Sequence, residues 1–311
     1  MITLGIDTSN YATSLAVFDT ETEEVVCDTK QFLPVRPGQL GLRQSDALFH
    51  HTAALPGLLD QLAQRTDLSR VGAVGVSAKP RPVEGSYMPC FLAGVSAATA
   101  FALSKNLPLI QTTHQQGHVA AALYATGNRQ LLEQPVLVFH ISGGTTDLLL
   151  CENLQVLRTV GTSTDLYAGQ AVDRVGVKLG FAFPAGAEVS RLAAQCDEPV
   201  QRAKVTLQGT NCSLSGLENQ CDRLLRQGKS PAYVCRFCLE AVGLTVLKMI
   251  AAARQEYPGL PVVCAGGVMS SDIIRRQVSR QAKDVWFVDG RFASDNAIGV
   301  AFIAGKAAEN G

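Results

Sequence analysis

The 311-residue sequence has no surplus of either charge: 27 Lys and Arg stand against 27 Asp and Glu. That balance provides no global field to draw in nucleic acid or an anionic membrane. Charged residues make up only 17% of the chain beside an apolar fraction of 47%, which excludes a disordered polypeptide. No apolar run reaches the about 18 residues that suggest a membrane span, so no membrane association is expected. The opening MITLGIDTSN lacks a basic stretch followed by an apolar one. No signal peptide is therefore expected, and the cytoplasm is the expected compartment. Nine cysteines, an odd number without framework spacing, fit reduced thiols. The close pair Cys235-x-x-Cys238 has no second pair to complete a zinc site, and its surroundings repeat apolar residues at helical steps, so core packing is expected.

What is present is a repeated pattern. ITLGIDTSNYATSLAVFD (2–19) and PVLVFHISGGTTDLLLCE (135–152) are each an apolar strand, a short polar turn and a second apolar strand. At this length two domains of roughly 150 residues are expected, and one such hairpin opening each half implies an internal duplication. Between the hairpins the pattern predicts a helix over 45–65, a strand over 71–77, a loop over 78–90, a small-residue helix over 91–106, and a strand at PLIQTT. The second half predicts strand, Gly-Gly turn and helix over 261–278, then strand, loop and helix over 285–308. The expected domains are 1–110 with 290–311, a connector over 111–134, and 135–289. Turns with bare backbone suit a nucleotide's phosphates. Two hairpins and a Gly-Gly turn spread over both halves fit an α/β, duplicated actin-like ATPase (ASKHA) architecture with a ligand in a central cleft.

The segment QTTHQQGHVAAAL (111–123) places two of five histidines four residues apart. On a helix, His114 and His118 share a face and can reach one ion, although such a pair also arises as ordinary helix packing. A zincin peptidase is excluded, since it needs glutamate after the first histidine and Gln115 stands there.

These segments resemble the tRNA threonylcarbamoyladenosine synthase family (TsaD, once called glycoproteases) in order along nearly the whole chain: LGIDTS (4–9), THQQGH (113–118), ISGGTTDL (141–148), AGQAVDRVGVKLGFAFPAGAE (168–188), SLSGLEN (213–219), AGGVMSS (265–271) and SDNAIGVAFIAG (294–305). The resemblance implies one divalent metal, Fe2+ or Zn2+, held by His114, His118 and Asp295. It also implies an adenylate or ATP-like nucleotide held by Ser9, by the turn Ser142, Gly143, Gly144, Thr145 and Thr146, by Asp173 and Gly186, and by Gly266, Gly267 and Ser271. The activity implied is threonylcarbamoyl transfer from threonylcarbamoyl-adenylate to adenosine in tRNA, with TsaB-like and TsaE-like partners. The companion subunit TsaB shares the fold but lacks the metal pair, so the chain is not that subunit.

The departures surround the substrate. Tyr11 and Ala12 replace the acidic pair of the family's first hairpin, which leaves the catalytic base unknown. Thr145 replaces the usual histidine, Gln170 a glutamate, Glu218 a lysine and Ser271 an asparagine; Thr113 stands where the family has a histidine before His114. The pattern reads as a divergent paralogue. Two alternatives follow: a non-catalytic nucleotide- and metal-binding scaffold for a partner, or an O-carbamoyltransferase acting on a small molecule. A small-molecule kinase fits less well, because imidazoles suit Mg2+ poorly. Binding of tRNA has no support from net charge; Arg43, Lys79, Arg81, Arg275 and Arg276 are the residues for a local basic patch.

Overall fold

The computed structural model describes residues 1–9, 11–34, 42–293 and 297–309. The chain folds into two compact units, Met1–Ala125 with Asp295–Gly311, and Thr126–Ser294.

In the first unit, β1 (Ile2–Ser9) and β2 (Ala12–Asp19) form the expected antiparallel hairpin and β3 (Glu24–Phe32) extends it. Strands β4 (Val71–Lys79) and β5 (Leu109–Thr113) add in parallel on the other side, giving the order β3-β2-β1-β4-β5. Every residue of β1 is buried, as a central strand covered on both faces requires. Helices α1 (Gln44–Ala63) and α2 (Phe91–Ser104) cover one face, where Thr13 meets His51 of α1 and the Thr8 hydroxyl accepts from Gly94 N–H of α2. Helices α3 (His114–Ala125) and α11 (Ile298–Glu309) cover the other. A Cβ on Gly5 would lie 2.5 Å from the backbone of Ala297 and Ala301, so α11 rests directly on β1. Helix α3, expected within a separate connector over 111–134, packs inside this unit against α11.

The second unit repeats the plan. After the short α4 (Gln130–Glu133), strands β6 (Val136–Ile141), β7 (Thr146–Glu152) and β8 (Gln155–Thr162) form the antiparallel part. Strands β11 (Val262–Ala265) and β12 (Val285–Phe287) are parallel to β6, and the order β12-β11-β6-β7-β8 matches that of the first sheet. The long excursion between β8 and β11 carries α5 (Ala168–Lys178), α6 (Gly186–Ala193), the ribbon β9 (Thr206–Gln208) and β10 (Asn211–Ser213), α7 (Ser215–Arg226) and α8 (Pro231–Glu256). Helices α9 (Asp272–Gln281) and α10 (Gly290–Ala293) flank β12. Helix α8 starts where its sequence says it should: Ser230 caps Tyr233 N–H and Pro231 occupies the first turn. Cys235 and Cys238 lie in this unit's core, as expected from their spacing. All nine cysteines are buried and free. No helix among the described residues is long and apolar enough to cross a membrane.

Candidate functional site

The two histidines are set by the junction of β5 and α3. Thr113 ends the strand and its hydroxyl accepts from Gln116 N–H at 3.1 Å, an N-cap of the Thr-x-x-Gln kind legible in THQQ. The same hydroxyl donates to Gln116 Oε1 at 2.9 Å, and Gln115 N–H reaches Pro80 O at 3.0 Å. The helix therefore begins at His114, and its first turn carries both rings to one face. Their Nε2 atoms stand 3.0 Å apart, with ring planes at 78°. Two nitrogens bound tetrahedrally to one ion at ~2.0–2.1 Å would be separated by roughly 3.3–3.4 Å, so the rings stand within a few tenths of an ångström of a shared metal edge.

Small residues permit this placement. A Cβ on Gly299 of α11 would fall 1.9 Å from Gly117 O, and one on Gly117 would meet Val300 at 3.0 Å. The run GHVAAAL thus brings α3 and α11 into backbone contact. Behind His114, both carboxylate oxygens of Asp7 lie 3.1 and 3.2 Å from Nδ1. Asp7 and His118 are buried, and the His114 side chain keeps 22% of its surface exposed. Asp295, expected as the third ligand, lies outside the described residues. Among the described residues no group of three or more His, Cys, Asp or Glu is placed to hold an ion. Asp7 sits on the side of His114 away from His118.

Several of the second-half residues expected to hold a nucleotide lie at the carboxyl ends of β6 and β11. Ser142 N–H donates to Thr145 O at 3.0 Å across the turn, the Ser142 and Thr145 hydroxyls pair at 2.8 Å, and Gly144 N–H donates to Ser142 Oγ at 3.3 Å. The Thr146 hydroxyl accepts from Ala168 N–H at 2.8 Å, pinning the start of α5 to the hairpin. Gly169 is a contact the sequence reading missed: a Cβ there would lie 2.4 Å from Ser142 O and 2.6 Å from Gly143 Cα.

The glycines separate into two kinds. Gly266 has φ +100°, and a Cβ would lie 2.2 Å from Ile141 O, so the fold itself requires it. A Cβ on Gly143, Gly144, Gly186 or Gly267 would meet nothing within 4 Å, and none of the four has positive φ. The protein's own packing does not demand glycine there. Their bare backbone suits the approach of something external.

Asp173 and Gly186 are brought together by α5 and α6. The Asp173 carboxylate accepts from Ala185 N–H at 2.8 Å. Burial pushes its carboxyl above the usual carboxylate range, against the pull of the Ala185 and Gly186 amides. Ser271 precedes α9 without capping it, and its buried hydroxyl has no partner among the described residues. The Ser9 hydroxyl, in the first unit, is likewise buried and unpartnered among them. Tyr11 is 46% exposed at the edge of its turn. Gln170 Oε1 accepts from Tyr167 N–H, and Glu218 pairs with Arg174 and Lys178, so the side chains that replace family residues there have local roles. Asp7 is the main residue missed from the sequence. Its signal was present in LGIDTS: it is the one ionisable group of an otherwise uncharged buried strand.

A family model described as TsaD, tRNA N6-adenosine threonylcarbamoyltransferase, matches residues 38–302. A tRNA N6-adenosine threonylcarbamoyltransferase of Streptococcus pneumoniae (strain ATCC 700669 / Spain 23F-1) is 27% identical over 309 residues, covering 96% of this chain and 90% of the relative. One from Neorickettsia sennetsu is 28% identical over 313 residues, covering 97% and 92%. Among solved structures, full-length HypF in a phosphate- and nucleotide-bound form has TM-score 0.64 at 14% identity, covering 99% of this chain and 56% of HypF. Component A of Acidaminococcus fermentans (R)-2-hydroxyglutaryl-CoA dehydratase has TM-score 0.60 at 16% identity, covering 99% of each chain. These structural likenesses establish the actin-like ATPase fold.

Proposed function

Because the chain belongs to the tRNA N6-adenosine threonylcarbamoyltransferase family, an acyl-transfer family, we propose that it moves a threonylcarbamoyl group from threonylcarbamoyl-adenylate to the N6 amine of an adenosine in tRNA. The N6–carbonyl bond forms, the bond from that carbonyl carbon to the AMP phosphate oxygen breaks, and N6 loses a proton. The observation that carries this reading is the convergence of the two imidazoles, Nε2 to Nε2 at 3.0 Å.

His114 and His118, with Asp295, would hold one divalent ion, Fe2+ or Zn2+, and the neutral imidazole donor set suits both. When bound, the ion supplies Lewis-acid stabilisation of developing negative charge, worth several kcal/mol. The Ser142–Thr146 turn offers amides and hydroxyls to the phosphate of the leaving AMP, while Asp173 and Gly186 take its nucleoside. Gly267 and Ser271 contribute an open backbone and a hydroxyl without a partner among the described residues in the same unit. Proximity and orientation supply much of the rate in such a transfer. TsaB-like and TsaE-like proteins are the proposed partners and the cytoplasm the proposed compartment.

Tyr11 and Ala12 favour a second reading, in which the activated carbamoyl goes to another acceptor, such as a small-molecule hydroxyl. A decisive experiment incubates the protein with threonylcarbamoyl-adenylate and tRNA, with and without TsaB-like and TsaE-like proteins, and measures modified nucleoside and released AMP. Modified adenosine supports the first reading. AMP released on adding a small-molecule acceptor, with no modified nucleoside, favours the second. Neither product in any combination sinks both and favours a scaffold.

A further inference from the structure

Asp7 occupies the centre of the first sheet, and nothing in the acyl-transfer chemistry above uses it. Its side chain is fully buried, yet it shares the α11-facing side of the sheet with Gly5. Ser14 lies directly opposite on β2, and Ser77 follows Val76, the β4 partner of Ile6. The Ser14 and Ser77 hydroxyls are buried with no hydrogen-bond partner among the described residues. Buried polar groups are costly, so a row of hydroxyl, carboxylate and hydroxyl across the middle of the sheet, two of its members without a hydrogen-bond partner among the described residues, marks a place kept for function.

We propose that Asp7 is the positioning residue of the histidine pair: its carboxylate holds the proton of His114 on Nδ1 and so turns the Nε2 lone pair toward His118. The inference rests on the metal reading of that pair. An ionised carboxylate only accepts hydrogen bonds, so Nδ1 must carry the proton. Both Asp7 oxygens lie within 3.2 Å of Nδ1, so either can accept from it. The Nε2 that remains is unprotonated and faces the Nε2 of His118 at 3.0 Å. A ligating histidine gains orientation and basicity when a carboxylate backs its other nitrogen. Because Asp7 sits behind His114, it serves the ion without being a ligand.

Two measurements test this. Cobalt(II) titration of the purified full chain, followed by its visible absorption, gives metal affinity independently of activity. Asp7→Asn should bind cobalt ~10–100-fold more weakly than the unaltered protein. Asp7→Glu, which keeps a carboxylate, should recover much of that loss. Equal affinity in a natively folded Asp7→Asn overturns the proposal. The second measurement needs no variant at position 7. The 15N spectrum of histidine-labelled, metal-free protein at pH 8, with His114 assigned by His114→Gln, should show a neutral ring protonated at Nδ1. A ring protonated at Nε2, or a doubly protonated one, overturns it. If the unaltered protein takes up no cobalt, the metal reading fails, while the His114 tautomer still decides what Asp7 does.

Discussion

The two hairpins carry different chemistry on one scaffold. Counted from their turns, Ser9 corresponds to Ser142, Thr13 to Thr146, Asp7 to His140 and Ser14 to Asp147, as the two registers show. The flanking sheets have the same strand order. Yet the first turn carries Tyr11 and the second Gly143-Gly144. In the first unit the strand face beneath the turn presents Asp7 to an imidazole. In the second, His140 stands at that position and the Asp147 carboxylate across from it accepts from Thr162. The threonines also diverge: Thr13 meets His51, while Thr146 holds the start of α5. A duplicated sheet fixes where side chains point, and substitutions at equivalent points then divide the work.

The largest effect should come from the side chain that makes the first unit distinct. His118→Ala should lower transfer activity at least ~100-fold and abolish stoichiometric metal, measured by elemental analysis. Retained metal would break the contrast between the halves. The glycines of the second unit come next. Gly266→Ala should cost about 2–4 kcal/mol in urea unfolding, because its φ is strained and the new Cβ collides with Ile141 O. Gly143→Ala should stay within ~0.5 kcal/mol of the unaltered stability while weakening AMP binding about tenfold or more. Equal destabilisation by both would show that the bare turn serves folding only.

Asp165 and Asp173 should respond oppositely to acid. Burial alone would raise the Asp165 carboxyl, but Ser213, Ser215, Leu214 and Leu166 donate to it and hold it well below the usual range. Its stabilising contribution is full above the unfolded value and is lost only as pH falls through the lower folded one. Burial raises Asp173, so its cost is present at neutral pH and is relieved as pH falls through its raised folded value. Asp165→Asn should therefore lose on the order of 1 kcal/mol at pH 7 in urea unfolding, and Asp173→Asn should lose nothing. The smallest effect is expected from the thiols. All nine thiols are buried, so a thiol reagent at pH 8 should label none of them before unfolding and all nine after; burial also pushes Cys235 up to about 12 and Cys90 and Cys212 to about 11.

Much of this was legible beforehand. The strand-turn-strand segments 2–19 and 135–152 announced the duplication, since a buried hairpin needs nothing beyond local alternation and a polar turn. The helix at 91–106 and the His-x-x-x-His face were equally local. Asp7 was not, because its meaning depends on His114, 107 residues later. Gly169 was missed for the same reason: its neighbour is Ser142, on another element.

By itself, then, the sequence determined periodicity, caps and the residue types at each turn, all properties of the chain within a few residues. Only the tertiary structure decided which of those residues meet. It joined Asp7 to His114, assigned Gly266 to packing, and left Gly143, Gly144, Gly186 and Gly267 with no steric reason to be glycine. Such contacts are fixed by sheet register and helix docking, where a shift of one residue turns every side chain to the opposite face.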